Sequence, residues 1–178
     1  GIQVTASHNP RDHNGFKLTL AGRTLHGDDL QALRRRIEAG GFTSTLERGV
    51  ATRVDVLGAY TDRISRDVRL ARRMKVVLDC GNGVPGASAP HVLRAIGCEV
   101  VELFCDVDGR FPNHHPDPGD PANLQDLVAR VQAAGAALGL AFDGDGDRLG
   151  VVTRTGNVIY PDRQLMLLAS DTLERVPG

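Results

Sequence analysis

Neither sign of charge dominates this chain: 21 Lys plus Arg stand against 22 Asp plus Glu, so no overall field draws it to nucleic acid or to an anionic membrane. No apolar run approaches the roughly 20 residues a membrane helix needs, and no signal-peptide pattern opens the sequence. The three cysteines, Cys80, Cys98 and Cys105, are odd in number and lack CxxC spacing, which favours reduced, buried thiols over a disulfide framework. Internal repeats and low-complexity segments are missing too. These absences lead to the expectation of a cytoplasmic protein with no membrane and no nucleic-acid partner. An initiating methionine is also lacking, and Gly1-Ile2-Gln3-Val4 reads as a strand already under way, so the chain is expected to be a piece of something longer.

What is present describes a globular protein. Hydrophobic residues make up 41% and charged residues 24% of 178, enough for one good core, or for one domain plus part of another. Ile2–Thr5 and Phe16–Leu20 read as strands around a turn-rich stretch, Ala6-Ser7-His8-Asn9-Pro10, in which Asn9 is kept out of helical geometry by the proline. Asn14-Gly15 is a second turn. Asp28 is expected to cap a helix to about Ala39 with Leu30, Leu33 and Ile37 as its apolar stripe. Val56, Tyr60, Ile64 and Val68 mark another helix, after a polar linker at 41–53. From Lys75 onward strands alternate with helices: strand 75–79, a helix entered through Pro85, strand 99–104, a helix bearing Leu124, Leu127, Val128 and Val131, strand 138–142, short strands near 149–153 and 157–160, and a helix from Asp162. That alternation predicts α/β architecture in two modules. The first (1–52) is an incomplete α/β module; the second (53–178) is a complete three-layer α/β/α domain with a mixed, mainly parallel sheet.

The most pointed stretch is Asp143-Gly144-Asp145-Gly146-Asp147-Arg148, between two apolar runs. Three carboxylates at alternate positions repel one another unless a cation lies between them. The glycines let the backbone curl until the side chains converge, and hard oxygens in this arrangement suit Mg²⁺. Asp-Gly is equally a hairpin signal, with Leu149–Val152 as the returning strand. An EF-hand would need Gly and Glu where Arg148 and Arg154 stand. The spacing therefore favours a divalent-cation site at the carboxyl end of a buried strand, where α/β sheets gather ligands.

Other candidates are weaker on their own residues. Ser7 has no GxSxG setting and alone reads as a turn hydroxyl. Gly81-Asn82-Gly83 matches neither GxGxxG nor the Walker pattern and reads as a backbone turn. In Asn113-His114-His115-Pro116-Asp117, adjacent histidines of an extended segment point to opposite sides, which argues against joint ligation and for a surface loop.

Thr5-Ala6-Ser7-His8-Asn9-Pro10, Asn14-Gly15-Phe16-Lys17 and Asp143–Arg148, taken together, resemble the α-D-phosphohexomutase superfamily. Phe111-Pro112-Asn113-His114-His115-Pro116-Asp117-Pro118, Val77–Gly83 and Val158–Arg163 are similar to its bacterial phosphomannomutase/phosphoglucomutase branch. The resemblance runs the length of the chain and covers the end of the family's first domain and all of its second. It implies that Ser7 is carried as phosphoserine and that a hexose phosphate of mannose or glucose is the substrate. Glucose 1,6-bisphosphate would be the intermediate and activator. The same resemblance makes Asp143, Asp145, Asp147 and a phosphoryl oxygen on Ser7 the Mg²⁺ ligands. Arg148 would position phosphate, Lys17 would contact phosphate or move a proton, and His8 would support them. It further implies that the sugar-recognition and phosphate-docking loops lie in domains beyond this chain. The longer protein is expected to be monomeric, and this piece alone inactive. Phosphoglucosamine mutase is the nearest alternative; a phosphatase with Asp143 as nucleophile and a non-catalytic metal-binding module are alternatives of other classes.

Overall fold

The structure is a computed structural model that describes residues 1–5, 7, 9–10, 12–43 and 49–176. The chain opens with an antiparallel sheet of β1 (Ile2–Val4), β2 (Phe16–Leu20) and β3 (Arg23–Thr24), in that order, with Ile2 opposite Leu18 and Val4 opposite Phe16. Helix α1 (Asp28–Glu38) follows. Gly27, at φ 52°, takes the N-cap place expected of Asp28, and Asp28 and Asp29 sit in the first turn where carboxylates suit the helix dipole. The expected stripe on α1 is present but not covered in this chain: Leu30 and Ile37 are exposed, as are Val4, Phe16 and Leu20 on the strands.

Helix α2 (Leu57–Asp67) leads into a five-stranded sheet. Its strands are β4 (Lys75–Asp79), β5 (Glu99–Leu103), β6 (Leu138–Phe142), β7 (Leu149–Thr153) and β8 (Val158–Ile159), in spatial order β5-β4-β6-β7-β8. Pairs β4/β5 and β4/β6 are parallel, while β6/β7 and β7/β8 are antiparallel, so β7 alone runs against the other four. The mixed, mainly parallel sheet is as expected. So is the hairpin: the acidic stretch is the loop between antiparallel β6 and β7, and the turn and convergence readings are both true of it.

Both faces of β4 are covered, as its unbroken apolar run requires. Helix α4 (Gln125–Ala134) packs Leu127 and Val131 against Val77, Ala141 and Val152, all buried. Each such side chain contributes about 1.5–3 kcal/mol of burial. On the other face lies α3 (Ala89–Ala95), against β5 and α2. The helix expected from Pro85 comes in two pieces, a 3-10 turn at Val84–Ala87 and then α3. Proline explains the break. Pro90 cannot accept an interior helical position, so the helix restarts at Ala89 with Pro90 in its first turn. Helix α5 (Pro161–Arg175) closes the described chain with Leu165, Leu167, Leu168 and Leu173 exposed. Among the described residues no helix is long and apolar enough to cross a membrane.

Gly139 sets the separation of α4 from the sheet. A Cβ there would lie 2.6 Å from Val131 Cγ2 and 2.8 Å from Leu127 Cδ1. Gly139→Ala should therefore cost about 1–3 kcal/mol by overpacking. Urea denaturation would measure it, and an unchanged midpoint would contradict this close approach.

Candidate active site

The site begins where β6 runs out. Asp143, wholly buried, follows Phe142, and its Oδ1 accepts hydrogen bonds from the backbone N–H groups of Gly146 (3.0 Å) and Arg148 (3.1 Å). Those bonds wrap the loop around its own first carboxylate. They leave Oδ2 facing outward, where the Ser7 hydroxyl donates to it at 2.7 Å. The glycines have separate tasks. Gly146 takes φ +80°, a left-handed turn that L side chains resist. Gly144 permits contact: a Cβ there would stand 2.2 Å from the Ser7 carbonyl oxygen.

Ser7 reaches this position from the other sheet. Thr5, just beyond β1, donates its N–H to the Gly15 carbonyl at 2.9 Å, which fixes the start of the turn. Ser7 itself has φ 50°, uncommon for a residue with a side chain, and such strained positions concentrate at functional sites. The Thr5 hydroxyl donates to Asp145 Oδ2. Lys17, on β2, brings Nζ to 3.9 Å from Asp147 Oδ2. Arg148 turns the other way, with Nη1 3.9 Å from Asp117 Oδ1. His8 lies outside the described residues.

Oxygens of Asp143, Asp145 and Asp147 all lie within 4.8 Å of one another. Burial pushes the Asp145 carboxyl up, but hydrogen bonding led by the Thr5 hydroxyl, with the charge of Lys17, outweighs it and holds the group below the ordinary carboxylate range. Asp145 is thus ionised at neutral pH. Its Oδ1 is buried without a hydrogen-bond partner among the described residues. Such an orphan oxygen is costly unless something else satisfies it. Three hard carboxylate oxygens, one of them orphaned, fit a divalent cation.

Residues 1–44 match the α/β/α domain I, and residues 58–156 the α/β/α domain II, of phosphoglucomutase/phosphomannomutase. The chain belongs to that family. It is 57% identical over all 178 residues to a phosphomannomutase/phosphoglucomutase of Pseudomonas syringae pv. tomato, and 54% identical to a phosphoglucomutase of Neisseria gonorrhoeae. It spans 38% and 39% of the length of those two relatives. The crystal structure of a phosphoglucomutase/phosphomannomutase family protein from Burkholderia thailandensis superposes with a TM-score of 0.92 at 54% identity, covering 99% of this chain and 38% of that one.

Several residues that meet around this cluster were not legible in the sequence. Thr5 stands two residues before the serine, and only its hydroxyl type hinted at a donor. The surface-loop reading of 113–117 is corrected at His114. Its side chain turns inward, with Nε2 3.0 Å from Asp79 Oδ2, and Asp79 is fully buried. The signal was a carboxylate inside the apolar strand Val76–Asp79, which demands a buried partner. His115 stays exposed, so the two rings do part, as their adjacency requires. The Gly81–Gly83 segment is a turn, as expected, with Gly81 and Asn82 both at positive φ, and its Asn82 side chain bonds Asn113 and the Asp106 carbonyl.

A calorimetric titration with Mg²⁺ tests the triad. Asp145→Asn, which neutralises the orphan oxygen's carboxylate, should weaken binding by about 10-fold or more. Equal affinities for the two proteins would remove the cation assignment.

Proposed function

We propose that the full-length protein carrying this chain is a phosphohexomutase, interconverting the 1- and 6-phosphates of mannose or glucose through a phosphoserine at Ser7. One observation carries the reading: the Ser7 hydroxyl sits 2.7 Å from a carboxylate of a three-aspartate cluster that has an orphaned oxygen. A phosphoryl group on that hydroxyl would add close to two negative charges beside three existing ones. A cation held by the cluster would offset that charge.

The chain's own residues then take definite parts. Asp143, Asp145 and Asp147 would hold Mg²⁺ together with an oxygen of the Ser7 phosphoryl group. The bound cation would supply charge neutralisation for the group in transfer. In the forward step the bond from phosphorus to Ser7 Oγ breaks as a bond from phosphorus to a sugar hydroxyl oxygen forms. The hydroxyl proton leaves to a nearby base, and the Ser7 oxygen takes up a proton. Glucose 1,6-bisphosphate, or its mannose counterpart, is the product of that step; after reorientation its other phosphoryl group returns to Ser7. Lys17, beside Asp147, would contact phosphate or transfer a proton, and His8 would support it. Arg148 would orient phosphate through its planar fork. The reduced thiols agree with a cytoplasmic setting, and the substrate is a small sugar phosphate.

Incubation of the full-length protein with glucose 1,6-bisphosphate should add one phosphoryl group by intact mass, and Ser7→Ala should not take it up. Mutase turnover should fall on the order of 10⁴-fold or more in that variant, the scale of losing a covalent nucleophile. Retained turnover in Ser7→Ala would favour direct use of Asp143 and overturn the reading.

A further inference from the structure

Behind the acidic loop lies a buried pair that the proposed reaction does not use. His114 Nε2 is 3.0 Å from Asp79 Oδ2, and its Nδ1 is 2.9 Å from the His115 carbonyl oxygen. Both ring nitrogens therefore face oxygens. A carbonyl has no proton to give, so Nδ1 carries one. The second contact needs a proton between imidazole and carboxylate, and the ordinary affinities of the two groups place it on the ring. The Phe104 ring meets His114 edge-on at 5.4 Å between centroids, and the side chain of His114 is only 14% exposed.

This pair is tied to the acidic loop by short backbone links. Asp79 Oδ1 accepts the Gly81 N–H at 2.8 Å, which sets the Gly81–Gly83 turn. From that turn, Val84 donates its N–H to the Gly144 carbonyl at 3.0 Å, and a Cβ on Gly83 would lie 2.7 Å from that same oxygen. Pro116, two residues after His114 and buried, packs on Gly81 and comes within 3.6 Å of where a Cβ on Gly144 would stand. Asp117, next along, holds Arg148. The segment 113–117 is thus the floor on which Gly144 and Arg148 rest.

We infer that His114 is held as a doubly protonated imidazolium whose salt link to Asp79 fixes this floor, making the two residues positioning groups for the Asp143–Asp145–Asp147 loop. The positioning role rests on the reading of that loop as a cation site; the charge state of His114 does not. Among the described residues the charged groups acting on His114 are Asp79, at the end of β4, and Asp126, in the first turn of α4. The hydrogen bond that His114 donates to Asp79, opposed by burial, raises the histidine pKa above the ordinary 6.5. A raised histidine pKa means the link is complete below about 6.5 and is lost as pH rises through the higher folded value.

The test uses the full-length protein with ¹⁵N-labelled histidine. NMR should show both His114 ring nitrogens protonated at pH 7, with the signal assigned by its loss in His114→Gln. Magnesium titration should show Asp79→Asn binding about 10-fold more weakly, the usual scale for a residue that acts through a metal ligand's support. Wild-type affinity should also decline at alkaline pH along the His114 titration, a dependence that Asp79→Asn shifts to lower pH. A singly protonated ring at pH 7 would overturn the inference, as would unchanged Mg²⁺ affinity in an Asp79→Asn protein whose circular dichroism is native. Asp145→Asn run alongside separates the cases: if it too binds normally the cation reading has failed, and the NMR result alone decides the charge of His114.

Discussion

Like charges crowded at one strand end are the constraint from which the rest of this structure can be understood. Two carboxylates under 5 Å apart, as Asp143 and Asp145 are, repel by a few kcal/mol at the effective dielectric of a partly buried site. Asp147, more exposed, is better screened. The chain answers that repulsion group by group. Backbone N–H dipoles close on Asp143, a threonine hydroxyl serves one oxygen of Asp145, and a lysine stands near Asp147. One oxygen, Asp145 Oδ1, is left over among the described residues. A cation is the simplest group that satisfies it and relieves the repulsion together.

Meeting that constraint requires backbones to come closer than side chains allow. The acidic loop, the Ser7 turn and the Gly81–Gly83 turn approach one another through Gly144 and Gly83, where an added Cβ would collide with main chain. The mixed sheet also contributes. Because β7 runs back antiparallel from β6, the acidic loop is a tight hairpin, held at the same end of the sheet as the loops leaving β4 and β5. A crossover connection there would have carried the aspartates away from the turn that supports them.

The elements were readable where periodicity or punctuation was strong. The run Val76–Leu78 read as a buried strand, and the Gly-Asp alternation pointed to converging carboxylates as well as to a hairpin. Capping and breaks were less legible: Gly27 took the place of Asp28, and a second proline divided a helix that its first proline had opened. Contacts between distant segments were not legible in spacing at all. Thr5 meets Asp145 across 140 positions and His114 meets Asp79 across 35. Only the placing of a carboxylate in an apolar strand hinted at the second, and the pattern around His114 read as surface because proline, asparagine and histidine are common there. The amphipathic stripe of α1 was read correctly as a pattern, yet burial is a property of neighbours, and in this chain the stripe stays open.

Among the described residues the two sheets share no strand pairing. Among the described contacts that join them, those at the site are polar: Thr5 to Asp145, Ser7 to Asp143, Lys17 to Asp147, and the Ser7 backbone against Gly144. Docking of the first module and completion of the site are therefore linked, since the same residues serve both. An ion or phosphoryl group that needs ligands from both sides binds with its intrinsic strength diluted by the undocked fraction. The reciprocal holds as well, since saturating ligand at 100 times its dissociation constant would strengthen the seam by about 2.7 kcal/mol. Occupancy would then be a mechanical property: a ligand held from both sides would clamp the two modules together.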